Sequence, residues 1–306
     1  MTFQRFIGID WSGAATDDQR VSLRVVASGP LTDGPTPITP PTSRRAKNWS
    51  RQEVLDFLRT ELGPDAPPTL VAIDAAIGYP RGTGPALFDA HSFEALSTAV
   101  ARGLQTHGTA AHLIDALNQR ATDAQLPGVP FFYRGKDLPQ RPWHRPHHRP
   151  HAFFTHLGIS YYRLVETLVP ESLSPFYIGP GPTVAYHALT VLHLVHGLQQ
   201  TRHKGLVDVG FWPLESNWSS RRHLIAECYP SILPTPKYPC PSANPHQRDA
   251  HRIADWLHHL PSERLQTLLD LRPHSDDASS PSRSIARKEG WILGVDLPVH
   301  HPFSPP

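Results

Sequence analysis

Three short apolar runs in this chain end in an acid: Ile9 is followed by Asp10, Ile73 by Asp74 and Ala226 by Glu227. A carboxylate directly after a buried strand stands at the strand's carboxyl end, where open α/β sheets build their sites. If the three runs are parallel neighbours, the three carboxylates converge. Like charges that close are costly unless a proton or a cation neutralises them. The donors are hard oxygens and no Cys/His set competes, so Mg²⁺ or Mn²⁺ is the expected cofactor. A fourth acid comes from a helix: Asp249, Ile253, Trp256 and Leu260 are spaced so that Asp249 shares the sheet-facing stripe. Asp255 instead shares a face with His251, His258 and His259 and is expected on a polar surface. Any one of these acids is as readily a turn or helix cap; the set of four is what points to a metal site.

The elements that must position them can be read in outline. FQRFIGI at 3–9 is a strand, and the alternation of Val21, Leu23 and Val25 predicts an antiparallel partner. Five prolines between 29 and 42 put any strand there at an edge. Ser50 and Glu53 form a capping-box pair ahead of the stripe Val54, Leu55, Leu58 and Leu62. TLVAI at 69–73 lacks polar alternation, as a central strand covered on both faces does, and HLIA at 223–226 is a further strand. Helices are expected around Phe93–Val100, Leu113–Leu117 and 183–199. Asn244 as N-cap with Pro245 at the first helical position starts the helix that carries Asp249. Residues 273–284 are of low complexity and expected to be mobile, and EGWILGV at 289–295 returns to order.

With 306 residues the chain can hold one large α/β domain or two smaller ones. Proline, 34 of 306 or about 11%, is roughly twice its usual share and implies long, stiff connections. The 29 basic and 27 acidic residues leave a net charge of +2, so any attraction to nucleic acid must be local. Two cysteines, Cys228 and Cys240, exclude a disulfide framework, and a cytoplasmic location is the simplest expectation. Cys228 beside Glu227 is read as a buried structural thiol, since a carboxylate neighbour raises a thiol's pKa. No signal segment is expected in MTFQRFIGIDW, and no apolar run approaches the roughly 18 to 20 residues that span a bilayer.

FIGIDWSGA, VAIDAAIG, ECYP, RDAHRIADWL and EGWILGV, in that order, resemble the bacterial and archaeal family of uncharacterised predicted RNase H-like nucleases, a domain-of-unknown-function family. The resemblance is anchored in 5–15, 69–80, 223–234 and 244–295, and the middle, 81–222, carries none of it. It implies an RNase H-like mixed five-stranded sheet flanked by helices. The core would be discontinuous, built from 1–80 and 223–306 around a large, mostly helical and proline-rich insertion at 81–222. It also implies the first-strand acid at Asp10, the fourth-strand acid at Asp74 and the C-terminal helix acid at Asp249, with Glu227 matching the acid of the ECYP-like strand.

The function expected from these residues is a metal-dependent phosphodiesterase acting on DNA or RNA. Two ions about 4 Å apart would be held by Asp10 as bridge, with Asp74, Glu227 and Asp249 completing the shells. Two alternatives keep the fold. In an actin-like-superfamily ATP-binding phosphotransferase, Gly8-Ile9-Asp10 with Ser12-Gly13 would cradle phosphates, but no second Asp-x-Gly-Gly loop appears. The other is a non-catalytic module that binds metal or nucleic acid. An Arg-Pro-x-His repeat in 139–151 supplies a local basic patch of Arg134, Lys136, Arg141, Arg145 and Arg149 with Trp143 interleaved. Such a patch suits single-stranded nucleic acid, and a solvated proline-stiffened loop accounts for it equally well. Arg287 and Lys288 are expected on the surface.

Overall fold

The computed structural model describes residues 2–11, 13–14, 23–29, 34–40, 49–133, 150–179, 183–271 and 281–298. In chain order the elements are β1 (Arg5–Asp10), β2 (Arg24–Ser28), β3 (Thr36–Pro37), α1 (Arg51–Glu61), β4 (Thr69–Asp74), α2 (Thr83–Phe88), α3 (Phe93–His107) and α4 (Ala110–Asp123). They continue with β5 (Phe132–Tyr133), α5 (Pro150–Leu157), α6 (Leu164–Leu168), β6 (Tyr177–Ile178), α7 (Val184–His203), β7 (Val209–Phe211), β8 (His223–Glu227), α8 (Pro245–His259), α9 (Ser262–Leu269) and α10 (Pro281–Glu289).

Six strands form a mixed sheet in the order β3-β2-β1-β4-β8-β7, flanked by helices. β1, β4, β8 and β7 run parallel, and β2 and β3 are antiparallel additions at one edge. The three acid-ending runs are therefore parallel neighbours, as the site required. The sheet has six strands rather than five. β3 and β7 are two and three residues long, too short for a period to show in sequence. Pro37 lies in the edge strand β3, where a missing N–H costs no ladder bond.

The uniformly apolar β1, β4 and β8 are covered on both faces. One face packs Ile7, Ile9, Val71, Ile73 and Ile225 against Val54, Leu58, Val191, Val195 and Leu198 of α1 and α7. The other packs Leu70, Ala72, Leu224 and Ala226 against Ile253 and Leu257 of α8, together with α9, α10 and Trp291. The helix starts are as expected. Ser50 and Glu53 bond reciprocally at the head of α1, and the Asn244 side chain accepts from the Gln247 N–H at the head of α8.

Residues 81–222 contribute to the main sheet and its cover as well as building a helical cluster of their own. β7 pairs with β8 in the main sheet, and α7 is apolar around most of its circumference because it serves two cores. One side of α7 faces the sheet; the other, with Ala185, Ala188, Leu189 and Leu192, joins the helical cluster of Leu96, Val100, Ile114 and Leu117. Of the low-complexity stretch 273–284, residues 273–280 lie outside the described residues and the rest open α10. Among the described residues no helix is long and apolar enough to cross a membrane.

Candidate active site: carboxylates at the end of the parallel strands

β1 and β4 pair in register so that Asp10 stands opposite Asp74, both as the last residue of their strand. Side chains alternate along a strand, so partners in register point to the same face. α8 covers that face closely. A Cβ built on Gly8 would collide with the Ala250 carbonyl oxygen and the Ala254 amide nitrogen, so glycine lets the helix backbone rest on β1. This explains Gly8 without a phosphate loop. It also brings Asp249, the residue before Ala250, to the strand ends.

The electrostatics record the crowding. Burial, aided by the Asp249 charge, pushes Asp10 up to about 6, against the pull of His246 and Arg24. Asp74 is raised well above the ordinary carboxylate range, by burial first and then by Asp10, Asp249 and Glu227. Half-buried Asp249 is also raised by burial, with His246, Arg252 and Arg248 opposing. Among the described residues no donor reaches the Asp74 carboxylate.

His246, in the first turn of α8, is a site residue that sequence reasoning missed. Its Nδ1 lies 2.9 Å from Asp10 Oδ2, and that hydrogen bond raises the ring's pKa. Asn-Pro-His at a helix start reads as a cap; only the packing of α8 over Gly8 turns it toward Asp10. Arg24, opposite Asp10 in the antiparallel ladder, is the second cation nearby.

Glu227 behaves differently. It pairs with Ile73 rather than Asp74, one residue out of step, so it does not stand opposite Asp74. There Arg163, almost fully buried, donates from Nη1 at 2.7 Å and Nη2 at 2.6 Å to its two oxygens, and the Ile77 N–H adds a bond at 3.0 Å. Arg163 also bonds Glu166 at 2.7 Å, while Glu289 accepts from the Arg81 and Leu164 N–H groups. Burial works against the guanidinium, yet Glu166 and Glu227 hold it charged. The structure thus brings Asp10, Asp74 and Asp249 together and places Glu227 in a separate ion pair, near enough to press on Asp74.

A hard divalent cation suits the donors that converge here, carboxylate oxygens and one imidazole. Among the described residues, no group of three or more His, Cys, Asp or Glu side chains is placed to hold a metal ion. Arg134, Lys136, Arg141, Trp143, Arg145 and Arg149 lie outside the described residues, as does Ser12. Asp255 is a correction. It is buried rather than on a polar surface, because its carboxylate accepts the Lys237 and Tyr238 N–H groups of the proline-rich loop at 2.7 and 3.1 Å. His251 anchors the same loop through the Tyr238 carbonyl. Cys228 is buried, and burial raises its thiol's pKa further above the ordinary range, so it is no nucleophile. Trp11 packs in the α7-side core, and Arg287 and Lys288 are exposed. No protein-family model, curated protein or solved structure matches this chain.

Proposed function

We propose that the chain is an RNase H-like, metal-dependent phosphodiesterase acting on nucleic acid, in which Asp10, Asp74 and Asp249 hold Mg²⁺ or Mn²⁺. The observation that carries this reading is the Asp10–Asp74 register with Asp249 laid over it, three acids that all resist ionisation where they stand. A divalent cation bound there would neutralise phosphoryl charge and lower the pKa of a water molecule.

The chain's own residues prepare that chemistry. His246 fixes one oxygen of Asp10, and no described donor takes the other. Asp74, with no described donor, keeps both oxygens for a ligand. Arg163 removes Glu227 from the set and, through the Glu227 bond to the Ile77 N–H, holds the turn that follows Asp74. The acids set the reaction class; the choice between DNA and RNA belongs to surfaces beyond them. Labelled DNA and RNA incubated with Mn²⁺ or Mg²⁺ should be cut by the wild type and at least about 100-fold more slowly by Asp10→Asn. Equal inactivity of both proteins on every polymer would end this reading.

A further inference from the structure

Just past β1, Gly13 and Ala14 are held between α1 and α7. Thr183, the N-cap of α7, donates its hydroxyl to the Gly13 carbonyl at 2.5 Å, and Arg51 of α1 donates to the Ala14 carbonyl. One turn further along α7, His187 lies against the same backbone, because a Cβ built on Gly13 would collide with its imidazole. Gly13 is three residues from Asp10, at most about 11 Å of chain, so this ring stands beside the strand end. His246 reaches the strand end from α8, where it bonds Asp10 and acts by its charge on His187. Packing gives no reason for an imidazole at this position. Neither ring nitrogen has a hydrogen-bond partner among the described residues, and the ring keeps some exposure to solvent. Burial first, then the charges of Arg51 and His246, lower its pKa to about 4, so at pH 7 it is neutral and carries a basic nitrogen.

We propose that His187 is a further catalytic residue of the carboxylate site, the group that takes the proton from the attacking water. The role rests on the phosphodiesterase reading above. In that reading Asp10, Asp74 and Asp249 serve the cation, so the base comes from another element. The water oxygen forms the new bond to phosphorus as its O–H bond breaks, and the proton passes to a ring nitrogen of His187. The P–O bond to the leaving nucleoside breaks with its electron pair on the leaving oxygen, which takes a proton from solvent. His187 then returns its proton to solvent, and nothing is oxidised or reduced. An imidazole that is neutral before substrate arrives suits this task, and an anionic phosphate beside it raises its basicity toward the working pH.

Two measurements test it. Histidine ring signals, with His187 assigned by its loss in His187→Gln, are followed by NMR as Mn²⁺ is added. Broadening of both His187 and His246 is expected in the wild type, and of neither in Asp10→Asn. Broadening of His246 alone would overturn the role of His187 and leave the metal site standing; broadening of neither in the wild type would end both readings. Cleavage of a labelled strand by His187→Gln should fall at least about 100-fold in kcat, with KM within about twofold of wild type. Imidazole added to His187→Ala should restore activity saturably, more so as pH rises and imidazole loses its proton, and should restore none to Asp10→Asn. A purely structural ring would give a loss that imidazole does not repair. Unchanged kcat in His187→Gln, or a folded His187→Ala that imidazole leaves inactive, would overturn the proposal even with both rings broadened. Should His187→Ala fail to fold, the Mn²⁺ signals and the kcat of His187→Gln decide.

Discussion

Glu227 and Asp74 end neighbouring parallel strands one residue out of step, and their surroundings could hardly differ more. Glu227 meets a buried guanidinium that grips both its oxygens, with a backbone N–H as third donor. Asp74 meets two more acids and no described donor, and its carboxyl resists ionisation. Both regions bury carboxylates at the same end of the sheet. In one the chain supplies its own cation, so the arrangement is complete and structural. In the other, His246 and Arg24 serve Asp10 but no described donor serves Asp74, so the arrangement favours a proton or an added cation. Provision of a counter-charge, more than proximity of acids, separates the brace from the candidate site.

The largest effect should come from removing the brace. Arg163→Met strands Glu227 and Glu166 without their cation and should cost about 3–5 kcal/mol, the usual penalty for breaking a buried pair from one side. Urea denaturation would measure it. Arg163→Met combined with Glu227→Gln should recover part of the loss, since the second change removes the uncompensated charge. A loss under about 1 kcal/mol in the single variant, on the same scale, would erase the distinction between the two regions.

The opposite sign is expected at Asp74. An acid whose folded pKa is raised keeps its proton in the folded state after the unfolded chain has lost it. Stability therefore falls as pH rises from the ordinary value through the folded one. For Asp10 that window runs from 3.8 to about 6 and is worth roughly 3 kcal/mol. Metal-free Asp74→Asn should then be more stable than wild type at pH 7.5, by about 1 kcal/mol. Mn²⁺ should raise the wild-type melting temperature at pH 7.5, much less at pH 5, and hardly at all in Asp74→Asn. Thermal unfolding with and without the ion reads all three. A markedly destabilised Asp74→Asn would place Asp74 with Glu227, as a brace.

Much of the candidate site was legible because short-range signals carry it. An apolar run ending in an acid marks a strand's carboxyl end, and the stripe from Asp249 to Leu260 puts that acid toward the sheet. What was not legible depends on register and on distant partners. Three acids after three apolar runs look equivalent, but nothing in the sequence shows that Glu227 pairs with Ile73 while Asp10 pairs with Asp74. Arg163 sits in a stretch with no clear period, 64 residues from the Glu227 it neutralises. Asp255 looked solvated because its helix face is polar; the loop N–H groups that bury it come from residues 237 and 238. The sixth strand was hidden by its length.

His246 gives the smallest effect and the finest test of how Asp10 is served. A histidine with a raised pKa stabilises below its unfolded value, near 6.5, and loses that contribution as pH rises through the folded value. Its partner narrows the window from the acid side, because Asp10 takes up a proton near 6. The stability difference between wild type and His246→Ala should therefore peak between about pH 6 and 7 and fade on both sides. The ring is more than a third exposed, so solvent screening keeps the peak under about 1 kcal/mol. Arg163→Met should show no such peak, since a guanidinium stays charged throughout this range. Denaturant midpoints for both variants from pH 5 to 9 make the contrast. A His246→Ala difference that is flat with pH would mean the ring acts by packing alone, leaving Asp10 as dependent on an outside cation as Asp74.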